Sequence, residues 1–356
     1  VLIMTIPTTA WRGQASLSCI ARSEETADCA SFIFAAPEGR SVDFLPGQFV
    51  CLGTAIGGQL KMRAYSIASD VADRQRFRVA VRRVPGGLVS NWLLDHVQPG
   101  VCVEALAPGG EFHLDPDRHM AADAPKHVAL FSAGCGITPM MSMTFWLLAR
   151  SPDVQIHFFH SAHDESSLIF AEETSSLAQA HANFHLYRFL SRPQRPQECF
   201  SGRVDSGAVR RLLPAGEAVE AYLCGPQAYM DQLGEALRAH GIPASSIHSE
   251  SFFTPELGDG LSAGCAEAHT HVLNLPDFGR ELQIAGEESL LDALEREGLP
   301  IIGACRSGVC GSCRCKVLDG QTQSVTSGPL SPTDIEAGYV LACSTHAQSD
   351  LKLALG

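Results

Sequence analysis

The sequence predicts a multidomain chain: a small antiparallel β-barrel, an α/β domain on a parallel sheet, and a shorter domain around a cysteine-dense loop. Three observations predict it. Up to about residue 118, short strand-like runs alternate with Gly and Pro turns. From about residue 125, apolar strands alternate with helices, the pattern of a parallel sheet with crossover helices. After a stretch rich in Gly, Pro and small polar residues (254–268), three cysteines crowd one loop. A chain of 356 residues exceeds one ordinary core, and no internal repeat is visible.

In the first module (1–118), Ala15–Ala21, Cys29–Ala36, Phe49–Leu52, Ala64–Ala68 and Phe77–Arg83 read as strands. Pro46-Gly47, Gly57-Gly58, Pro85-Gly86-Gly87 and Pro108-Gly109-Gly110 separate them. In the second (119–253), strands His127–Ser132, Gln155–His160, Phe184–Leu190 and Glu220–Cys224 alternate with helices Met140–Arg150, Phe170–His181, Ser206–Leu213 and Gln227–His240. Residues 254–268 read as a linker. In the third (269–356), His271–Leu275 and Glu281–Ala285 suggest a hairpin, followed by a helix to Glu297 capped by Ser289.

A formal net charge of −13 disfavours nucleic acid and anionic membrane as partners, and no apolar run reaches the roughly 18–20 residues of a membrane span. The N-terminus carries no signal-peptide pattern, and cytoplasmic placement is expected. Thirteen cysteines, an odd number, argue against a complete disulfide framework. Clustered ones read as metal ligands; Cys19, Cys29, Cys51, Cys102, Cys199, Cys265 and Cys315 read as small buried hydrophobes.

Cys305, Cys310 and Cys313, with Cys343 far downstream, have the spacing that wraps a [2Fe–2S] centre. Gly303, Gly308 and Gly311 let the loop turn tightly and aim N–H groups at sulfur. A structural zinc site also takes four cysteines, but usually as two short-spaced pairs. Arg63, Ala64, Tyr65 and Ser66 end a barrel strand: an arginine can pair with phosphate, a tyrosine can lie on a flavin ring, and a serine can hydrogen-bond flavin N5. An ordinary barrel strand could carry the same residues. Gly87, Leu88, Val89 and Ser90 open a helix whose N–H groups suit a pyrophosphate. In the second module, Gly134, Gly136, Thr138 and Pro139 form a strand-to-helix turn suited to a dinucleotide. Cys224, Gly225 and Pro226 form another such turn, and Cys224 could equally be a buried small hydrophobe.

The residues 304–313 and 340–343 resemble plant-type ferredoxins, and the likeness runs over the whole segment 269–356. Residues 63–66 with 81–93, and the two turns at 132–139 and 222–226, resemble the ferredoxin–NADP reductase superfamily. The resemblance implies an α+β β-grasp third domain and a [2Fe–2S] cluster on Cys305, Cys310, Cys313 and Cys343. It implies that Arg63, Tyr65 and Ser66 hold the flavin and its phosphate, residues 87–90 the pyrophosphate, and Thr138 with its surrounding backbone the dinucleotide. Cys224 then lies beside the nicotinamide; with Ser66 it is the candidate catalytic pair. The segments at 86–93 and 108–112 look closer to the FAD module of flavohaemoglobins than to FMN-binding relatives, so FAD is expected.

NADH is expected over NADPH, since His163, Asp164 and Glu165 offer no permanent cation for a 2′-phosphate, although Ser191-Arg192 could. Glu250 and Phe252-Phe253 stand where relatives place a group against the flavin, whereas His157, His160, His269 and His271 read as surface or core histidines. Similar three-module chains are NAD(P)H-dependent reductases that pass electrons to Rieske-type oxygenases, including demethylases of quaternary amines, or to the hybrid-cluster protein. A Rieske oxygenase component is the expected partner. A carrier protein unable to oxidise NADH is the alternative from another class.

Overall fold

In a computed structural model that describes residues 9–252, 270–326 and 328–355, the chain forms two compact units: 1–50 with 65–253, and 51–64 with 254–356. The expected linker 254–268, with Cys265, and also Phe253 and His269, lie outside the described residues.

The first module holds the short parallel pair β1 (Thr9–Ala10) and β4 (Arg40–Ser41) beside six longer strands. These are β2 (Gln14–Thr26), β3 (Cys29–Ala35), β5 (Phe49–Ile56), β6 (Gln59–Ser66), β7 (Arg76–Arg82) and β8 (Cys102–Gly109), in sheet order β6-β5-β8-β2-β3-β7. Helix α1 (Leu88–His96) follows β7. Gly57 and Gly58 both have positive φ (60° and 80°), the requirement of a tight two-residue hairpin turn. They make β5 and β6 one hairpin, so β6 begins at Gln59 and not, as expected, at Ala64.

After α2 (Pro116–Met120), strands β9 (His127–Ala133), β10 (Gln155–Ala162), β11 (Phe184–Leu190), β12 (Phe200–Ser201), β13 (Val219–Cys224) and β14 (Ile247–Glu250) form one parallel sheet, ordered β12-β11-β10-β9-β13-β14. Alternate residues of β9 and β10 feed opposite cores. Val128, Leu130, Ile156 and Phe158 pack with α3 (Ile137–Arg150) and α4 (Ala171–Ala180). Ala129, Phe131 and Phe159 pack with α5 (Ser206–Leu212) and α6 (Gln227–Ala239). Both faces are covered, so apolar residues stand on both sides of these strands at their centres. Helix α3 starts three residues before the expected Met140, because Pro139 falls in the first turn, where backbone N–H groups have no intrahelical partner.

The second unit contains the third module. Strands β15 (Thr270–Leu275), β16 (Arg280–Ala285), β17 (Arg314–Asp319), β19 (Tyr339–Leu341) and β21 (Leu351–Leu355) form a mixed sheet ordered β16-β15-β21-β17-β19. A side pair joins β18 (Thr322–Ser324) to β20 (Thr345–Ala347), and α8 (Pro332–Glu336) precedes β19. Helix α7 (Leu290–Arg296), capped by Ser289 as expected, lays Leu290, Leu291, Ala293 and Leu294 on Leu273, Leu282, Ile284 and Leu353. This is the β-grasp arrangement.

Cys19, Cys29, Cys51 and Cys315 are buried, but Cys102 is exposed and Cys199 only partly covered. For those two the buried-hydrophobe expectation is corrected. Cys102 is the exposed first residue of β8, and Cys199 follows a short turn of helix, where no core is available.

Candidate functional site

The chain runs from β9 out to β12 on one side and then returns to β13 on the other. The carboxyl ends of β9 and β13 therefore border the switch point of the sheet, where ligands bind in open α/β folds. The turns after these two strands are the two singled out from sequence. Gly134 sits at φ +55° and Gly136 caps the amino end of α3 without any side-chain cap, leaving backbone N–H groups for an anion. A Cβ on Gly136 would lie 2.0 Å from the Cys224 carbonyl oxygen, so the two turns touch. One on Gly225 would meet Ala133 and Tyr229 at 3.0 Å.

Thr138 is buried and its hydroxyl donates to the Cys135 carbonyl (2.9 Å), so its side chain shapes the turn while its N–H remains in the first turn of α3. Pro139 is buried beside it. Cys224 is fully buried, and burial first, then Glu250 and Cys135, pushes its thiol well up. It is a neutral thiol, suited to shaping a pocket and not to nucleophilic attack. Glu250 is in register with Cys224 on β14, while Phe252 is exposed.

Several groups at this site were not anticipated. Tyr229 donates to the Ser132 carbonyl (3.1 Å). The Ser132 hydroxyl donates to the Phe159 carbonyl (3.1 Å) and contacts His160 Nδ1 (2.9 Å), which must then carry the proton. Arg82 of β7 lies within 3.0 Å of the Cβ position of Gly134, and the Cys29 thiol contacts Cys135. Only their distant partners give them meaning, so no local spacing could have marked them. Beyond β10, Asp164 accepts from Ser166 and Ser167, and Glu165 accepts from the backbone of Gln194 and Arg195. The Ser167 hydroxyl and the Gln194 N–H are the main causes holding these two carboxyls below the usual range, as fixed anions.

The candidate flavin residues lie together at the end of β6. Arg63 donates to the Met62 carbonyl (2.7 Å), and Ala64 and Tyr65 are half-buried. The buried Ser66 hydroxyl has no hydrogen-bond partner among the described residues. Such an orphan is costly unless a ligand completes it, and a flavin ring nitrogen would. Gly87 caps α1 with no side-chain cap, and a Cβ there would meet Ser90 Oγ at 2.6 Å. Val89 and Ser90 are buried and Leu88 is exposed, which leaves the first-turn N–H groups available to a phosphate.

The four predicted cluster cysteines come together. Cys305 contacts Cys310 and Cys343, and Cys313 contacts Cys343. The Cys310 and Cys343 thiols, then the Ser307 N–H at 3.5 Å, hold Cys305 well below the usual thiol range. Among the described residues no three His, Cys, Asp or Glu side chains form a set that could hold one metal ion. Four neighbouring thiols suit a two-iron centre, in which each iron takes two cysteines. Gly308 and Gly311 have φ of +76° and +74°, and a Cβ on Gly308 would meet Thr326 at 2.3 Å. The donor set and its tight loop fit the cluster.

At the opposite, amino ends of the strands, His127, His157 and His185 stack at 5.4 and 5.2 Å, with Glu217 on His127 and Gln155 on His185. His157 and His160 are thus core histidines. Burial, then the charges of His185 and His127, pushes His157 down to about 4; burial, then Arg188 and Arg82, pushes His160 to about 3. A base with a depressed folded-state pKa contributes stability that is complete above about pH 6.5 and lost as pH falls. Between pH 7 and 5 the two histidines should cost on the order of 3–4 kcal/mol. The expected result is a steep fall in unfolding midpoint over that range, shallower in His157→Phe. Equal slopes in both proteins would show that His157 is not responsible.

Three family models match the chain in series: an oxidoreductase FAD-binding domain at residues 16–114, an oxidoreductase NAD-binding domain at 130–234, and a 2Fe-2S iron-sulfur cluster binding domain at 274–348. A glycine betaine monooxygenase reductase subunit of Chromohalobacter salexigens is 30% identical over 98% of this chain and 97% of its own length. An NADH oxidoreductase HCR of Escherichia coli is 32% identical over 82% of this chain and 84% of its own. Among solved structures, phthalate dioxygenase reductase, a modular structure for electron transfer from pyridine nucleotides to [2Fe–2S], superposes with a TM-score of 0.64. It is 25% identical, covering 96% of this chain and 98% of that one.

Proposed function

Because the chain belongs to the ferredoxin–NADP reductase superfamily, in the family of reductases that end in a plant-type [2Fe–2S] domain, we propose that its electron acceptor is the oxygenase component of a Rieske-type system. The chain is an oxidoreductase: bound FAD would supply the conversion of a two-electron hydride from NADH into single electrons, and the [2Fe–2S] cluster would relay these to a partner protein. The observation that carries the reading is the meeting of the Gly136 and Cys224 turns at the switch point of the parallel sheet, in a chain that also gathers four thiols, three from one loop and Cys343 from a distant segment.

In this proposal Ser66 would hydrogen-bond the flavin ring and Tyr65 would lie against it. Arg63 and the N–H groups at 87–90 neutralise the flavin phosphates. The turn at 134–139 cradles the pyrophosphate of NADH on the amino end of α3. Cys224, Gly225 and Pro226 shape a dry wall beside the nicotinamide, so that two rings stack closely with no covalent step. The anions Asp164 and Glu165 disfavour the 2′-phosphate of NADPH. The module limits 1–118, 119–253, 254–268 and 269–356 belong to the same reading. So does cytoplasmic placement, supported by twelve free cysteines among the described residues. No described helix is long and apolar enough to cross a membrane.

Anaerobic titration with NADH should bleach the flavin and then raise the EPR signal of a reduced [2Fe–2S] centre, with NADPH less effective. Flavin and cluster that both stay oxidised would leave only a carrier role. Electrons accepted by an artificial dye but by no Rieske oxygenase would redirect the search for a partner.

A further inference from the structure

Within the second unit, one carboxylate is shared by two cations that come from distant parts of the chain. Glu295, on α7, lies 3.6 Å from Lys61 Nζ on β6 and also pairs with Arg306 Nη2. Lys61, Glu295 and Arg306 have side-chain exposures of 18%, 13% and 16%, so solvent does not fully screen the group. Arg306 directly follows the cluster cysteine Cys305 and holds φ +57°, a conformation uncommon for a residue with a side chain. Its other nitrogen pairs with Asp292 at 2.8 Å, and Asp292 in turn accepts from the α7 cap Ser289 at 2.6 Å. Gly303, on the same loop, leaves the room that Glu295 needs: a Cβ there would lie 2.9 Å from Glu295 Oε1. Lys61 stands two residues before Arg63 on β6, and strand alternation sets both on one face.

We propose that Lys61 and Glu295 are positioning residues that clamp the cluster loop, through Arg306, to the strand carrying the flavin-binding Arg63. The proposal rests on the flavin and cluster assignments above. The clamp touches neither reacting group. It fixes the loop from two sides, so that the one-electron step to the cluster starts from a held geometry. Lys61 and Glu295 stand outside the motifs of the cofactor sites, whereas Arg306 belongs to the cluster loop itself.

The test uses the full-length holoprotein in three forms, Lys61→Met, Lys61→Glu and Lys61→Arg, each matched to the unsubstituted protein in flavin and iron content. Hydrogen–deuterium exchange reads residues 51–64 and 303–312. Anaerobic rapid mixing with NADH reads flavin bleaching and cluster reduction separately. Lys61→Met should raise exchange in both segments and slow cluster reduction by about tenfold, and Lys61→Glu by more, while flavin bleaching keeps its rate. Lys61→Arg should restore both readouts. Unchanged exchange, or an unchanged cluster-reduction rate, in Lys61→Glu overturns the clamp. Failure of NADH to bleach the flavin of the unsubstituted protein would instead overturn the reductase reading, so the two failures are told apart.

Discussion

Cys310→Ala yields a protein that still bleaches its flavin with NADH but contains no [2Fe–2S] signal and reduces no protein acceptor. The sulfur of Cys310 meets that of Cys305 on a loop whose glycines hold it in left-handed turns, and no other side chain of the loop can supply a thiolate there. Outer-shell changes alone cost metal sites roughly 10–100-fold, and loss of a ligand should exceed that range. Iron content and EPR give the first readout, and NADH-driven reduction of a protein acceptor gives the second. The flavin step should survive, because the residues assigned to FAD and NADH lie in other modules. Loss of flavin bleaching as well would mean that the modules do not act separately.

Gly136→Ala is expected to slow flavin reduction by NADH about a hundredfold while dithionite still reduces flavin and cluster. The added carbon would sit 2.0 Å from the Cys224 carbonyl oxygen and 2.5 Å from its carbon, both backbone atoms that cannot swing aside. One turn has to move, and a misplacement near 1 Å is worth that order of rate. FAD content should stay normal, since residues 63–66 and 87–90 are not involved. Normal kinetics with NADH would show that contact between the turns does not shape the coenzyme site.

Much of the architecture was legible because it is written in local periodicity. Strands β9, β10 and β13 read as apolar runs since both their faces are buried, and the candidate cluster site was legible because three of its four cysteines share nine residues. Limits were less legible where solvent-facing residues interrupt the pattern. Strand β2 continues to Thr26 through Arg22, Ser23 and Glu24, with two register shifts, where the sequence resembles a loop. The approach of Gly136 to Cys224 joins residues far apart in sequence, as does the Lys61–Glu295 pair. Arg82, Tyr229 and His160 likewise acquire a site only through tertiary neighbours. Thr138 shows the converse: the motif was visible, but not that its hydroxyl is spent on the Cys135 carbonyl.

The parallel sheet keeps its stacked histidines at the amino ends of the strands and the turns proposed to hold the coenzyme at the carboxyl ends. Mutational drift can therefore retune acid tolerance at one end without disturbing coenzyme chemistry at the other. Descendants of such a chain could shed the share of acid sensitivity carried by His157 without touching the coenzyme end, whereas the share carried by His160, bonded to Ser132, stays tied to it.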